Sequence, residues 1–232
     1  MLRGLDLSFT VTAILIFTKK LFSGNRTATY FKNYVLYIIA KFIFLIIFKL
    51  FFRLKVTSQQ NMSQNGPFFI VVNHSSLLDP IILEIPVKPK VIFIAAAYLF
   101  KINWLGYLLG IANTIPIHRK NNKNSIKSTK KALKILEQGG VLGIFPEGGV
   151  DRQKDNLPIK AGAAYLATKV GVPVVPVKLK GADKVLPRGV KFIRSFNKIE
   201  VEIKKPIYCP KRSNLNKEII RNIVESYIRE IY

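Results

Sequence analysis

His74 and Asp79, five positions apart in Asn73-His74-Ser75-Ser76-Leu77-Leu78-Asp79-Pro80, are the clearest source of chemistry in this 232-residue chain. An imidazole takes up and returns a proton near neutrality more readily than any other side chain. A carboxylate bonded to one ring nitrogen fixes the tautomer and stabilises the cation formed when the other nitrogen is protonated. The pair therefore reads as a general base with its orienter. The alternative is a helix cap, Asp79, beside an unrelated histidine, and the local residues leave both open.

Two further segments carry groups suited to an anionic ligand. Asn113-Thr114-Ile115-Pro116-Ile117-His118-Arg119 is a short apolar run closing on a guanidinium whose planar fork suits a phosphate, although a lone arginine there also serves solubility. In Phe145-Pro146-Glu147-Gly148-Gly149-Val150-Asp151-Arg152, the paired glycines let backbone amides approach a ligand closely. Glu147 would accept from a substrate hydroxyl or anchor a neighbouring arginine. By itself Pro-Glu-Gly is an ordinary turn, and Val174-Val175-Pro176-Val177 is an ordinary buried strand. His118 is the only other histidine and has no carboxylate set beside it, so no metal site is expected. Cys209, the only cysteine, excludes an internal disulfide and reads as an inert structural thiol. Ser75 and Ser76 follow His74 but fit no nucleophile-elbow pattern, which argues against a hydrolase.

The elements that must position these groups alternate in type. Short apolar runs at 68–72, 91–95, 114–117, 141–145, 174–179 and 199–203 are predicted as strands. Segments 80–84, 104–111, 124–138 and 162–170 are predicted as helices, the third with Ile126, Leu133 and Leu136 on its apolar face, and a basic amphipathic helix is expected over 215–231. Alternation of this kind predicts an α/β fold with a mostly parallel central sheet flanked by helices. Asp79 then caps the helix that follows the first of these strands, with Pro80 as its first residue. The chemistry-bearing segments fall at strand ends, where open α/β sheets gather ligands.

The charge balance, 37 Lys and Arg against 13 Asp and Glu, gives a net of +24 and demands an anionic partner. A nucleic-acid binder combines such charge with polar surface. Here it accompanies 16 Phe and long apolar runs near the N-terminus, so anionic membrane lipid is the expected partner and nucleic acid is not. The run at 9–17 is too short to span a bilayer, which takes about 20 residues. In the run at 34–52, a step of about 100° per residue gathers Lys41, Lys49, Arg53 and Lys55 in one broad arc, as in a helix lying in the interface. A tilted spanning helix with snorkelling lysines is the alternative. The expected organisation is a membrane-docking segment over 1–60 and an α/β catalytic domain over 61–232.

The order of these pieces adds what none carries alone. The Asn-His-x4-Asp segment, the Ile-Pro-Ile-x-Arg strand, Phe-Pro-Glu-Gly and Val-Val-Pro-Val together resemble the glycerolipid acyltransferase family that includes lysophosphatidate acyltransferases. The resemblance runs from about Phe68 to Gly181, and the N-terminal apolar helices are similar to that family's membrane-docking two-helix motif. It implies a glycerol-3-phosphate acyltransferase-like fold and transfer of a fatty acyl group from acyl-CoA or acyl-carrier protein to the hydroxyl of a lysophospholipid. It implies no cofactor, no metal, no covalent acyl-enzyme, and attachment to a membrane, expected at the cytoplasmic face. By the same resemblance His74 is the base, Asp79 orients it, and Lys101 in Phe100-Lys101-Ile102 donates to the oxyanion. Arg119, Glu147 and Gly148 are implied as the acceptor-phosphate site, with Lys160 facing the phosphate, and Gly149 and Arg152 are expected to join them. Gly149 and Val150 depart from the Thr-Arg common in that family after Glu-Gly, and Arg152 is the expected substitute. The other expected possibilities are another lysolipid or an amino-lipid as acceptor, or a basic membrane-surface protein without catalysis.

Overall fold

The structure, a computed structural model, describes residues 26–62, 66–88, 90–118, 122–146, 162–187, 190, 192–209, 211, 222–223, 225–226 and 230–231. The chain forms two compact units, Met1–Phe44 and Leu45–Tyr232. The division falls within the first long helix. That helix, α1, spans Arg26–Phe51. It ends where Arg53 takes a left-handed backbone (φ 45°), which lets the Leu54 N–H reach back to the Phe48 carbonyl at 3.0 Å. Arg53 and Lys55 therefore leave the helical arc expected for them, and only Lys41 and Lys49 of that set stay on α1. No helix among the described residues is long and apolar enough to cross a membrane. The predicted apolar run at 9–17 lies outside the described residues, as does most of the predicted helix at 215–231.

Seven strands form one sheet among the described residues: β1 (Lys55–Thr57), β2 (Phe68–Val72), β3 (Val91–Ala96), β4 (Ile115–Ile117), β5 (Val141–Ile144), β6 (Val174–Lys180) and β7 (Glu200–Ile203). Their order is β1-β7-β6-β2-β5-β3-β4, and every pairing is parallel except β6 with β7. Five parallel strands thus form the core, with β1 and β7 reversed at one edge. The remaining helices are α2 (Asp79–Glu84), α3 (Asn103–Ile111), α4 (Asn122–Glu137), α5 (Gly162–Val170) and α6 (Ala182–Val185), with short 3-10 turns at Gln59–Asn61 and Ala97–Lys101.

The central strands are continuous β-branched and aromatic runs because both faces of the sheet are covered. All five residues of β2 are fully buried. Pro176 is tolerated in β6 because its missing N–H falls on the β7 side, in the gap between the Val177–Ile203 pair and the isolated Val174–Ile207 bridge. Its carbonyl is bonded there by the Lys204 N–H at 2.9 Å. On α4 the buried face is Ser128, Ala132 and Leu136, with Leu133 half-buried, while Ile126 is 55% exposed. The expected apolar face fails at Ile126 because the first half of α4 meets the end of β4 through hydroxyls. Ser128 Oγ donates to the Pro116 carbonyl and Ser125 Oγ to that of His118.

Candidate active site

Because β2, β3, β4 and β5 are parallel, their carboxyl ends share one edge of the sheet. The chain runs out from β2 to β3 and β4, returns to β5, then crosses β2 to β6, so the crevice between β2 and β5 is where strand order reverses. His74 leaves the end of β2 and Phe145 leaves the end of β5.

The turn between β2 and α2 is built around one carboxylate oxygen. Asp79 is fully buried, and its Oδ2 accepts from the Ser75 N–H at 2.6 Å and the Ser76 N–H at 2.8 Å. The same oxygen lies 2.9 Å from His74 Nδ1. An oxygen already collecting two backbone donors is an acceptor, so Nδ1 carries the proton and donates to it. That leaves Nε2 as the ring nitrogen with a lone pair. The expected capping role is not what Asp79 does: α2 begins at Asp79 itself, Leu78 holds the cap position, and the carboxylate points back into the turn. Asp79 Oδ1 and Ser75 Oγ are buried with no hydrogen-bond partner among the described residues.

Residues with no positioning role assigned from the sequence fix the orientation of this pair. Asn73 Oδ1 accepts from the Leu179 N–H at 2.7 Å and Asn73 Nδ2 donates to the Leu179 carbonyl at 2.9 Å. The side chain thereby continues the β2–β6 ladder beyond its last backbone pair, Val72 with Val177. Buried Ser76 donates from Oγ to the Leu186 carbonyl at 2.9 Å, tying the turn to the segment after α6. The His74 ring stacks on Phe145, centroids 4.0 Å apart at 26°, and Phe145 stacks on Phe93 at 5.6 Å and 8°. Gly143 makes room for this column, since a Cβ there would lie 2.8 Å from Phe93 and 2.9 Å from Val91. The stack sets the plane of the imidazole while the Asp79 bond sets its rotation within that plane. The one sequence signal for these supports was the motif wording itself, since each acts across the sheet.

Lys101 ends the 3-10 turn after β3, at the same edge of the sheet, and is exposed. Arg119, Glu147, Gly148, Gly149, Arg152 and Lys160 lie outside the described residues. Among the described residues no group of three His, Cys, Asp or Glu side chains is placed to hold a metal ion.

A family model described as Acyltransferase matches residues 53–180, more than half of the chain. The chain belongs to the acyltransferase family. Within that family it is 32% identical over 179 residues to the chloroplastic 1-acyl-sn-glycerol-3-phosphate acyltransferase BAT2 of Brassica napus, covering 76% of this chain but 51% of that protein. Its match to LPAT1 of Arabidopsis thaliana likewise covers 49% of the relative, so the chain spans about half the length of both chloroplast proteins. With the 1-acyl-sn-glycerol-3-phosphate acyltransferase of Bacillus subtilis it shares 30% identity over 155 residues, 66% of this chain and 73% of that one. The crystal structure of the 1-acyl-sn-glycerophosphate (LPA) acyltransferase PlsC from Thermotoga maritima is similar in fold, with a TM-score of 0.65 and 25% identity over 95% of this chain and 86% of that chain. The residues matched by the acyltransferase model include Asn73, His74, Asp79, Lys101 and Phe145.

Proposed function

We propose that this chain transfers a fatty acyl group from a thioester, acyl-CoA or acyl-carrier protein, to the free hydroxyl of lysophosphatidate, giving phosphatidate. His74 Nε2 takes the hydroxyl proton as the oxygen attacks the thioester carbonyl carbon. The resulting imidazolium is stabilised through Nδ1–H by the Asp79 carboxylate. The tetrahedral intermediate collapses by breaking the carbon–sulfur bond, and the imidazolium returns its proton to the departing thiolate. Lys101 is assigned to the oxyanion in this scheme, and removal of such a donor costs about 3 kcal/mol in comparable sites. Arg119, Glu147, Gly148, Gly149, Arg152 and Lys160 are assigned to the glycerol phosphate of the acceptor. The scheme uses neither a metal nor an organic cofactor.

What supports this reading most is the single oxygen, Asp79 Oδ2, that collects two backbone N–H groups and the His74 Nδ1–H at 2.9 Å. That geometry supports Nδ1–H as the donor to Asp79 and Nε2 as the nitrogen that takes the proton. The excess of 37 basic over 13 acidic residues supports a setting on anionic lipid at the cytoplasmic face, with the N-terminal apolar segments docked there. Gly149 and Val150, in place of Thr-Arg, favour a second reading in which the acceptor is a different lysolipid.

An acceptor panel tests both readings. One acyl-CoA is offered with lysophosphatidate and several other lysolipids, and products are resolved by mass. Lysophosphatidate is expected to be acylated fastest, and His74→Ala is expected to lower turnover roughly 10²- to 10⁴-fold. Equal turnover by the parent and the His74→Ala variant would sink the base assignment, and faster acylation of another lysolipid would move the acceptor to the second reading.

A further inference from the structure

Phe196 stands between two elements far apart in sequence. Its ring centroid is 5.9 Å from that of Phe51 and 5.7 Å from that of Phe52, at the end of α1. Phe52 is buried, but Phe51 is 54% exposed and Phe196 61%. On the same two elements, Ile46, Ile47 and Leu50 of α1 and Phe192 and Ile193 of the segment after α6 are exposed as well, Phe192 at 79%. Large aromatic and aliphatic side chains gathered at a surface mark an interaction site rather than ordinary exposure.

The segment carrying Phe192 is held in place. Ile199 N–H donates to the Phe52 carbonyl at 3.0 Å and Lys55 N–H to the Ile199 carbonyl at 2.9 Å, joining its far end to the chain beyond α1. Arg194 N–H donates to the Val185 carbonyl at 2.9 Å and Ser195 Oγ to that of Lys184 at 2.7 Å, folding it back on α6. Gly181 (φ 86°) permits the close approach, since a Cβ there would overlap the Lys198 carbonyl. Its near end accepts the bond from Ser76 described above, so the segment is tied to the His74 turn.

Charge identifies the occupant. Between Asp183 and Glu200 the sequence holds Lys184, Arg188, Lys191, Arg194 and Lys198 and no acid; Lys49, Arg53 and Lys55 flank Phe51 and Phe52, again with no acid. Arg194, Lys49 and Arg53 are exposed, and Lys198 is paired with Glu200 at 2.6 Å. A protein partner would ask for matching polar groups, whereas aromatic rings rimmed by arginine and lysine fit the boundary between acyl chains and anionic headgroups. We propose that residues 192–196, with the end of α1, form a second membrane-docking surface that inserts Phe192, Ile193 and Phe196 into an anionic phospholipid bilayer. Through Ser76 and Leu186 this surface sets the position of the His74 turn against the membrane from which the acceptor is drawn. The functional part of the inference rests on the lipid-acceptor reading above.

The test places an environment-sensitive fluorophore on Phe192→Cys in the full chain. Labelling is selective because Cys209 is buried and its thiol is pushed up to about 11. With vesicles of phosphatidylcholine and phosphatidylglycerol, the label is expected to shift to the blue and to be quenched by lipids brominated on the acyl chain. An unquenched label on vesicle-bound protein overturns the proposal, and so does self-association that buries the label without lipid. Phe192→Ser with Phe196→Ser is expected to raise the lipid needed for half-binding roughly tenfold or more. The same pair should lower turnover on vesicles while leaving turnover of detergent-dispersed lysophosphatidate unchanged. Quenching in a parent protein inactive with detergent-dispersed substrate would refute the reaction and uphold the docking surface.

Discussion

Replacing Asp79 with Asn keeps the shape of the His74 turn and removes its charge. The asparagine has two seatings. With its carbonyl oxygen at the Oδ2 position it still accepts from Ser75 N–H, Ser76 N–H and His74 Nδ1–H. Its amide then occupies the Oδ1 position, which is buried and makes no hydrogen bond among the described residues, and an amide left unbonded there costs about 1–3 kcal/mol. The reverse seating sets donors against two backbone donors and loses both of those bonds, keeping at most one to a His74 Nδ1 that has become an acceptor, so the first prevails. Folding survives, but a neutral amide no longer stabilises the imidazolium, and kcat is expected to fall roughly 10²- to 10⁴-fold. Asp79→Ala also strands the two backbone N–H groups and should cost about 2–6 kcal/mol in stability. Urea unfolding of the three proteins, with thiol release from acyl-CoA and lysophosphatidate as the activity assay, separates the effects. The reasoning fails if Asp79→Asn keeps kcat within an order of magnitude of the parent, or if the alanine variant is as stable as the asparagine one.

Asn73→Ala removes both bonds to Leu179 and is expected to cost about 1–3 kcal/mol in stability. As Asn73 positions His74 from a distance, kcat should fall while KM for the acyl donor holds; unchanged unfolding and kcat would show that the clamp positions nothing. Cys209 supplies a pH dependence: burial raises its thiol from an ordinary 9.0 to about 11, so the folded state favours the neutral form. A folded value above the unfolded one gives stability that is fully present below about pH 9 and is lost as pH rises toward 11. Urea midpoints measured across that window should fall more steeply for the parent than for Cys209→Ala.

The sequence by itself determined the alternation of strands and helices, because buried parallel strands must be continuous apolar runs and leave a plain trace. It also brought His74 and Asp79 within reach of each other, because both lie in one short turn, while leaving open whether Asp79 bonds the imidazole or only caps the helix. What it left hidden depends on residues brought together from different parts of the chain. Lys55–Thr57 is only three residues long and follows an apolar helix, so nothing local marks it as a strand until β7 pairs with it. Ile126 looked like a core residue by spacing, but which helix face is buried is settled by what the neighbouring strand offers, here the Pro116 and His118 carbonyls. Asn73 and Leu179 are 106 residues apart, and the Phe145 and Phe93 column needs β3 and β5 side by side with a glycine between their side chains. The His74 and Asp79 pair, with the backbone donors that bond the carboxylate, was therefore written in one segment, whereas its ring plane and its clamp were decided by the order of strands in the sheet.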